Sequence, residues 1–323
     1  MKHYTFIDFA TQGYLAMVGL LILIFHGEAV AKWPWLVVAH VAGLALVHLL
    51  ILLQVRWPAN RLLDFLRHFY PVPMFIGFYR ETGELNQMFV SGFLDPVFIH
   101  WDARLFGGQP SLTFMEHLPY WPVSEMFYAA YFSYYVMIVG VGLALFLRDR
   151  RQFFHYLSIV CFVFYVCYLI YIFTPVTGPR IFFRAVNGYE LPAHAQPAVL
   201  PEYPSAVHAG PFFRLMDWIY ENFEASGAAF PSSHVAVAIV TLYFSFRYLP
   251  RIRVIHLIMV VLLSLSTVYC RYHYAVDVAA GVVTAALLIP LGNWLYFRFQ
   301  RLLKQANGAE VSSPKPVSTV ESV

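Results

Sequence analysis

The chain has 323 residues, of which 60% are hydrophobic and 18% aromatic, while only 12% are charged. A soluble domain carries about 25% charged residues, so this surface is built mainly for lipid. The formal net charge of +3 and the lack of a basic run exclude a nucleic-acid partner, and Cys161, Cys167 and Cys270 lie in apolar runs without metal-ligand spacing, as buried small hydrophobes do.

In chain order, the first apolar run covers residues 13–25, after Lys2 and before Ala29-Val30-Ala31. It reads either as a cleaved signal peptide or as a short first span. Full-length candidate spans follow at 33–55, 124–147, 153–173, 234–249, 254–270 and 274–297, each close to the ~20 residues that a helix needs to cross the hydrocarbon. Basic residues cluster at particular ends: Arg56, Arg61 and Arg67; Arg148, Arg150 and Arg151; Arg247, Arg251 and Arg253; Arg298, Arg301 and Lys304. The positive-inside rule places all four clusters in the cytoplasm. The spans at 33–55 and 124–147 then both end inside, so the chain must cross outward between them. The candidate is 62–79, despite Asp64, Arg67, His68, Pro71 and Pro73, because polar residues are tolerated where they face protein.

Eight alternating spans result, in an all-α polytopic helical bundle with both ends inside. Residues 1–60 form two N-terminal spans and 61–304 the core. The tail at 305–323, rich in Ser, Val and Pro, is expected to be unstructured. The outer side, of a plasma or inner membrane, receives two long segments, 80–123 and 174–233. Within the first, Glu81, Glu84, Asp95 and Asp102 read as solvated carboxylates, with head-group binding as the alternative. His26, His40 and His48 read as packed or interfacial.

Three motifs carry chemistry. Phe230-Pro231-Ser232-Ser233-His234 opens a helix with a proline and capping serines, giving unpaired N–H groups and a positive dipole end suited to phosphate. In Arg271-Tyr272-His273-Tyr274-Ala275-Val276-Asp277, His273 and Asp277 share a helix face. A carboxylate on one ring nitrogen makes the other a better nucleophile; Arg271 adds a permanent charge. Thr174-Pro175-Val176-Thr177-Gly178-Pro179-Arg180 turns the chain after a span and offers Arg180. Charge parity alone puts Arg180, His234 and His273 on the same, non-cytoplasmic side. No metal-ligand cluster is present in the sequence pattern, and no cofactor is called for. A transporter would instead place ionisable residues in mid-span, and the spans after Ser124 are almost free of them.

These motifs resemble those of the type 2 phosphatidic acid phosphatase superfamily, which includes lipid phosphatases and phosphotransferases. Pro231–His234 matches its Pro-Ser-small-His element, and Ser266, His273 and Asp277 match the last motif. The resemblance covers about 62–297, a six-helix core after two extra helices. It departs at the first motif, where Gly178-Pro179-Arg180 reverses the usual Arg-Pro and Phe173 stands at the lysine position, and at Thr267, where an arginine is usual. Thr267-Val268-Tyr269-Cys270-Arg271-Tyr272-His273-Tyr274 looks more like the inositol phosphorylceramide synthase branch, which transfers a head group between lipids. The resemblance implies His273 as the nucleophile forming a phosphohistidine, Asp277 as its partner, His234 as acid and base, and Arg180, Arg271, Ser232 and Ser233 as phosphate ligands. The implied substrate is a phospholipid or lipid phosphate, with a lipid alcohol as acceptor.

Overall fold

The computed structural model describes residues 3–185 and 203–311. Regular structure among them is helical, and the extended contact present is an isolated parallel bridge between Val176 and Ala228. The helices are α1 (Phe6–Phe25), α2 (Trp33–Arg56), α3 (Arg61–Phe69), α4 (Pro71–Leu85), α5 (Asp95–Phe106), α6 (Pro110–His117), α7 (Trp121–Arg148), α8 (Arg150–Phe173), α9 (Pro179–Ala185), α10 (Ser205–His208), α11 (Pro211–Phe223), α12 (Ser233–Tyr248), α13 (Arg253–Tyr269) and α14 (Ala275–Val311). Proline begins many of them: α2, α4, α5, α6, α7 and α11 each have it in the first two positions, where its missing N–H costs nothing.

Five helices are long and apolar enough to cross a membrane: α1, α2, α7, α8 and the Ala275–Leu303 part of α14. The chain is therefore an integral membrane protein. α13, with 17 residues, is a shorter apolar helix, and α12 has 16. α8 is the central post, packed against α1, α4, α7, α12 and α14. α2 is the opposite case, mostly exposed and packed mainly on α1.

The run expected as a short span at 13–25 is longer than its hydropathy suggests. α1 begins at Phe6 because Asp8 accepts hydrogen bonds from the backbone N–H and the hydroxyl of Thr5 at 2.6 and 2.8 Å, starting the helix about two turns earlier. The crossing expected at 62–79 is two helices, α3 and α4, joined at Tyr70, whose backbone is itself helical. Their aromatic contacts climb α8 in the same order: Phe69 on Phe153, Phe75 on Phe164, Phe78 on Tyr165, Tyr79 on Tyr168, and beyond the helix Phe89 on Phe173. The pair thus runs parallel to α8 from its first turn to its last, as the charge pattern required. Pro71 and Pro73 sit in the first turn of α4 and break nothing.

The segments expected on the outer side contain helices among their described residues. Residues 80–123 contain the end of α4 with α5 and α6, and 174–233 contain α9, α10 and α11. α14 runs on to Val311, so 305–311 is helical where an unstructured tail was expected; Gln305, Ala306 and Glu310 are helix formers and no proline intervenes before Pro314. Residues 186–202 and 312–323 lie outside the described residues, and with them the rest of the expected tail.

The polar residues of the α3–α4 crossing are accounted for by pairing. Asp8 and Arg67 are both buried, with Arg67 Nη1 donating to Asp8 Oδ1 at 2.6 Å, Nη2 donating to Oδ2, and the Tyr70 hydroxyl also donating to Oδ1 at 2.6 Å. Removing one member of a buried pair leaves the other charge without compensation, at about 3–5 kcal/mol. Asp8→Ala or Arg67→Met should therefore lower the thermal unfolding midpoint of the detergent-solubilised protein substantially, and the double variant by less than the sum of the two. Additive losses would show that the pair contributes nothing as a pair.

Candidate active site

α12 starts where the Ser232 hydroxyl accepts from the Val235 N–H at 3.3 Å, the N-cap that its sequence called for. Ser232 N–H is itself used, donating to the Asp277 carbonyl at 3.2 Å, and Ser233 N–H donates to the Tyr171 hydroxyl at 3.2 Å. Both serines are buried. The close approach of α14 depends on Gly281, where a Cβ would lie 2.6 Å from the Ser232 carbonyl oxygen.

The turn from α13 to α14 is tight. Tyr272 and His273 N–H both donate to the Thr267 carbonyl at 3.0 Å, and Arg271 occupies the left-handed region at φ 63°. That turn aims His273 back at Asp277, with Nδ1 3.4 Å from Asp277 Oδ2, while its Nε2 lies 3.4 Å from His234 Nδ1. His234 Nε2 is 3.0 Å from the Tyr131 hydroxyl, and Tyr131 in turn bonds Tyr220. With both rings neutral and Asp277 ionised, one proton arrangement satisfies the whole line: Tyr131 O–H donates to His234 Nε2, His234 Nδ1–H to His273 Nε2, and His273 Nδ1–H to Asp277 Oδ2. Burial supports neutrality at His273, pushing its imidazole down to about 4 against an opposing backbone hydrogen bond with Ala229. A neutral ring with a carboxylate behind it is the arrangement that a histidine nucleophile requires.

The two arginines expected to bind phosphate are present at this end, but engaged. Arg180 Nη2 donates to Glu224, Nη1 lies 3.8 Å from Asp217, and the guanidinium sits 4.8 Å over the Tyr220 ring. Tyr220 stacks on Tyr272 with ring centroids 4.0 Å apart. Arg180 thus reaches His234 through Tyr220 and Tyr131. Arg271 is buried with its guanidinium 4.9 Å over Tyr203, and its carbonyl accepts from Arg180 N–H at 2.8 Å. Gly178 makes that approach possible: its φ is +87°, and a Cβ there would stand 2.6 Å from the Tyr272 carbonyl oxygen.

His234 also closes one end of a cavity of about 440 Å³ between α4 and α7. Phe75, Ile76 and Tyr79 form one wall, Tyr134, Ile138 and Val139 the other, with Glu224 and Tyr220 near the histidine. Ile76 and Val139 are 50% and 66% exposed, so the mouth opens through the apolar flank of the bundle. Arg80 lines this cavity, whereas Glu81, one residue on, turns away and lies 3.4 Å from buried His40.

Asp95 and Asp102 correct the expectation of solvated carboxylates, since both are fully buried. Asp95 accepts from Thr177 N–H, Thr177 Oγ1, Gly178 N–H and the Tyr274 hydroxyl, all within 3.0 Å. Asp102 accepts from the N–H groups of Ala275 and Val276 at 2.9 Å each. Burial raises both carboxyls, Asp102 to about 6, with the N–H donors pulling the other way. Glu224, Tyr131, Tyr134 and Tyr220 are further site residues that sequence reading missed. Spacing was the available signal for the aspartates, because seven residues put Asp95 and Asp102 on one helix face. Among the described residues no group of three or more His, Cys, Asp or Glu side chains is arranged to hold a metal.

No curated protein and no solved structure matches the chain. The PAP2 superfamily pattern matches residues 98–291, more than half of the chain, from α5 through both histidines into α14. By that match the chain belongs to the PAP2 superfamily, whose phosphatase-type enzymes act on lipid-type phosphates.

Proposed function

We propose that this chain breaks or transfers a phosphate ester on a lipid through a phosphohistidine at His273, with the reaction at the non-cytoplasmic end of the bundle. The observation that carries the reading is the position of His234, which touches His273 on one side and ends the lipid-facing cavity on the other. A lipid whose chain occupies the cavity between α4 and α7 would present its phosphate at the histidine pair. The sidedness rests on the arginines: Arg148 Nη1 donates to the Tyr248 carbonyl, so the basic clusters after α7 and α12 converge at the end opposite His234.

The chemistry then follows from the resting contacts. Ring nitrogens 3.4 Å apart leave no room for phosphorus and its oxygens, so substrate must part His234 from His273. Parting them frees the Nε2 lone pair of His273 and exposes the Nδ1–H of His234. Nε2 attacks phosphorus, the ester P–O bond breaks, and the leaving oxygen takes the His234 proton. Asp277 balances the positive charge on the substituted ring. In the second half, His234 removes a proton from the incoming hydroxyl, whose oxygen attacks phosphorus as the P–N bond breaks and His273 is restored. Arg180 and Arg271 would neutralise the phosphoryl oxygens, and a phosphoryl oxygen would replace the Glu224 carboxylate on Arg180. Ser232 and Ser233 act here by fixing the start of α12, since their N–H groups are already occupied.

Between hydrolysis and transfer, the run from Thr267 to Tyr274 favours transfer of a phosphoinositol-type head group to a lipid alcohol. The second reading, hydrolysis of phosphatidic acid or a prenyl pyrophosphate, uses the same residues with water as acceptor.

Protein in liposomes, supplied with labelled phosphatidylinositol plus ceramide or diacylglycerol, should yield a labelled new lipid by chromatography; free phosphate from phosphatidic acid would favour the hydrolase instead. His273→Ala should reduce either product to background, and Asp277→Asn should lower kcat by about 10²–10⁴-fold. Retained turnover in His273→Ala across a panel of lipid phosphates would end the phosphohistidine reading. The cavity is tested separately with Ile76→Trp and Val139→Trp. These should raise KM for a long-chain substrate severalfold and leave turnover of a water-soluble short-chain phosphate as in the parent; equal effects on both would show that the chain binds elsewhere.

A further inference from the structure

α5 lies outside the bundle, between two candidate spans, and contributes nothing to the cavity. Yet its two aspartates, seven residues apart on one face, spend every bond they make on the segments that carry the site. α14 begins after Tyr274, whose side chain cannot cap it. Asp102 supplies the cap from another helix, using both oxygens on the N–H groups of Ala275 and Val276, and a carboxylate in that place also meets the positive end of the helix dipole. Asp277 follows one residue later. Its Oδ2 accepts from Tyr274 N–H at 2.9 Å, so its position is inherited from the turn that Asp102 holds. Asp95 fixes the same turn from the other side through the Tyr274 hydroxyl, and holds the Thr177–Gly178 backbone two residues before Arg180.

We propose that Asp95 and Asp102 are positioning residues for the reaction, with α5 the template that sets Asp277 behind His273 and places the Arg180 segment against the same turn. The proposal rests on the phosphohistidine reading for its kinetic consequence, and on geometry alone for its structural one. Neither aspartate touches His234 or the cavity lining, so the effect of Asp102 must pass through Ala275 and Val276, and that of Asp95 through Tyr274 and the Thr177–Gly178 backbone. The hydrogen bond from His273 Nδ1 to Asp277 is already long at 3.4 Å, which makes it sensitive to any loosening of the first turn of α14. The expected spectroscopic consequence is loss of the single His273 tautomer: without a fixed Asp277, the proton is no longer confined to Nδ1.

The test uses full-length protein in nanodiscs and the isosteric variants Asp102→Asn and Asp95→Asn, whose amide group turns an N–H toward a backbone N–H and so forfeits one bond without changing shape. In the assay above, Asp102→Asn is expected to lower kcat by about 10²-fold with KM unchanged, the order of loss for a displacement of about 1 Å at a reacting group. Asp95→Asn is expected to lower kcat and also raise KM, since it releases the Arg180 segment. Independently of activity, ¹⁵N-histidine spectra at neutral pH, with the His273 signal identified by its absence in His273→Ala, should show one Nδ1–H tautomer in the parent and a mixture in Asp102→Asn. A parent-like kcat and a parent-like tautomer in both variants would overturn the proposal. So would a fall in kcat that merely tracks the loss of folded protein, with the tautomer unmoved. Should the parent turn over no lipid phosphate, the functional reading fails, and the tautomer comparison still decides whether α5 positions the pair.

Discussion

A carboxylate buried with no cation bonded to it among the described residues is the constraint around which the His273 end of this protein is built. Asp277 is fully buried, and of its two oxygens only Oδ2 has protein partners, Tyr274 N–H and His273. An ion so placed is costly unless something offsets its charge, and lipid and buried protein supply no water to do it. His273 is the group that can, by gathering positive charge when its far nitrogen forms a bond. On the proposed phosphohistidine reading, the step that charges the imidazole would also compensate the carboxylate. The same constraint explains the neighbours. Asp95 and Asp102 lie close enough to act on Asp277 by charge, so each is loaded with N–H and O–H donors, six in all for the two.

The parts of this arrangement that were legible in the sequence are those written in short range or in bulk composition. Apolar runs gave the long helices, because a span must satisfy its own backbone and shows this in some twenty consecutive residues. His273 and Asp277 were found because a spacing of four is a geometric statement about one helix. Ser232 was found because capping chemistry is local, and charge counting required the passage through Asp64, Arg67 and His68 that hydropathy obscured. What could not be read was long-range pairing. Asp8 meets Arg67 across 59 residues, and Tyr274 meets Asp95 across 179, with no periodicity to announce either. Asp95 and Asp102 looked solvated because isolated carboxylates in outer segments usually are. Their burial is a property of α5 folding back onto α14, and only the spacing of seven pointed that way.

Arg180 shows a further limit. Its basic charge and its place after a Gly-Pro turn suggested phosphate, and the structure brings it to the same end as the histidines; no local pattern announced that Glu224, 44 residues on, would hold it. An arginine lying over the Tyr220 ring of a stacked tyrosine pair and bonded to a carboxylate is pre-organised at low entropic cost, since its rotamer is already selected. Glu224 belongs to the cavity lining as well, so on the proposed reading a phosphate arriving there would meet the carboxylate before the guanidinium. Exchange of one anion for another on a fixed arginine costs less than ordering a free side chain, and it discriminates: a neutral lipid has nothing to offer in place of Glu224.

The cavity completes that logic by separating two kinds of recognition. Its walls between Phe75 and Val139 are apolar and aromatic and read only the presence of a chain, whereas every group that distinguishes chemistry stands at the His234 end. On the proposed reading, binding energy from the chain would be spent on parting His234 from His273, a change that the phosphate alone would have to drive against a hydrogen bond and two tyrosine rings packed on His234. A short-chain phosphate lacks that contribution, and it must open the pair with head-group contacts only. On the proposed reading, coupling an apolar groove to a closed histidine pair would select for lipid without a single specific contact to it, so that selectivity would reside in where the groove ends rather than in what lines it.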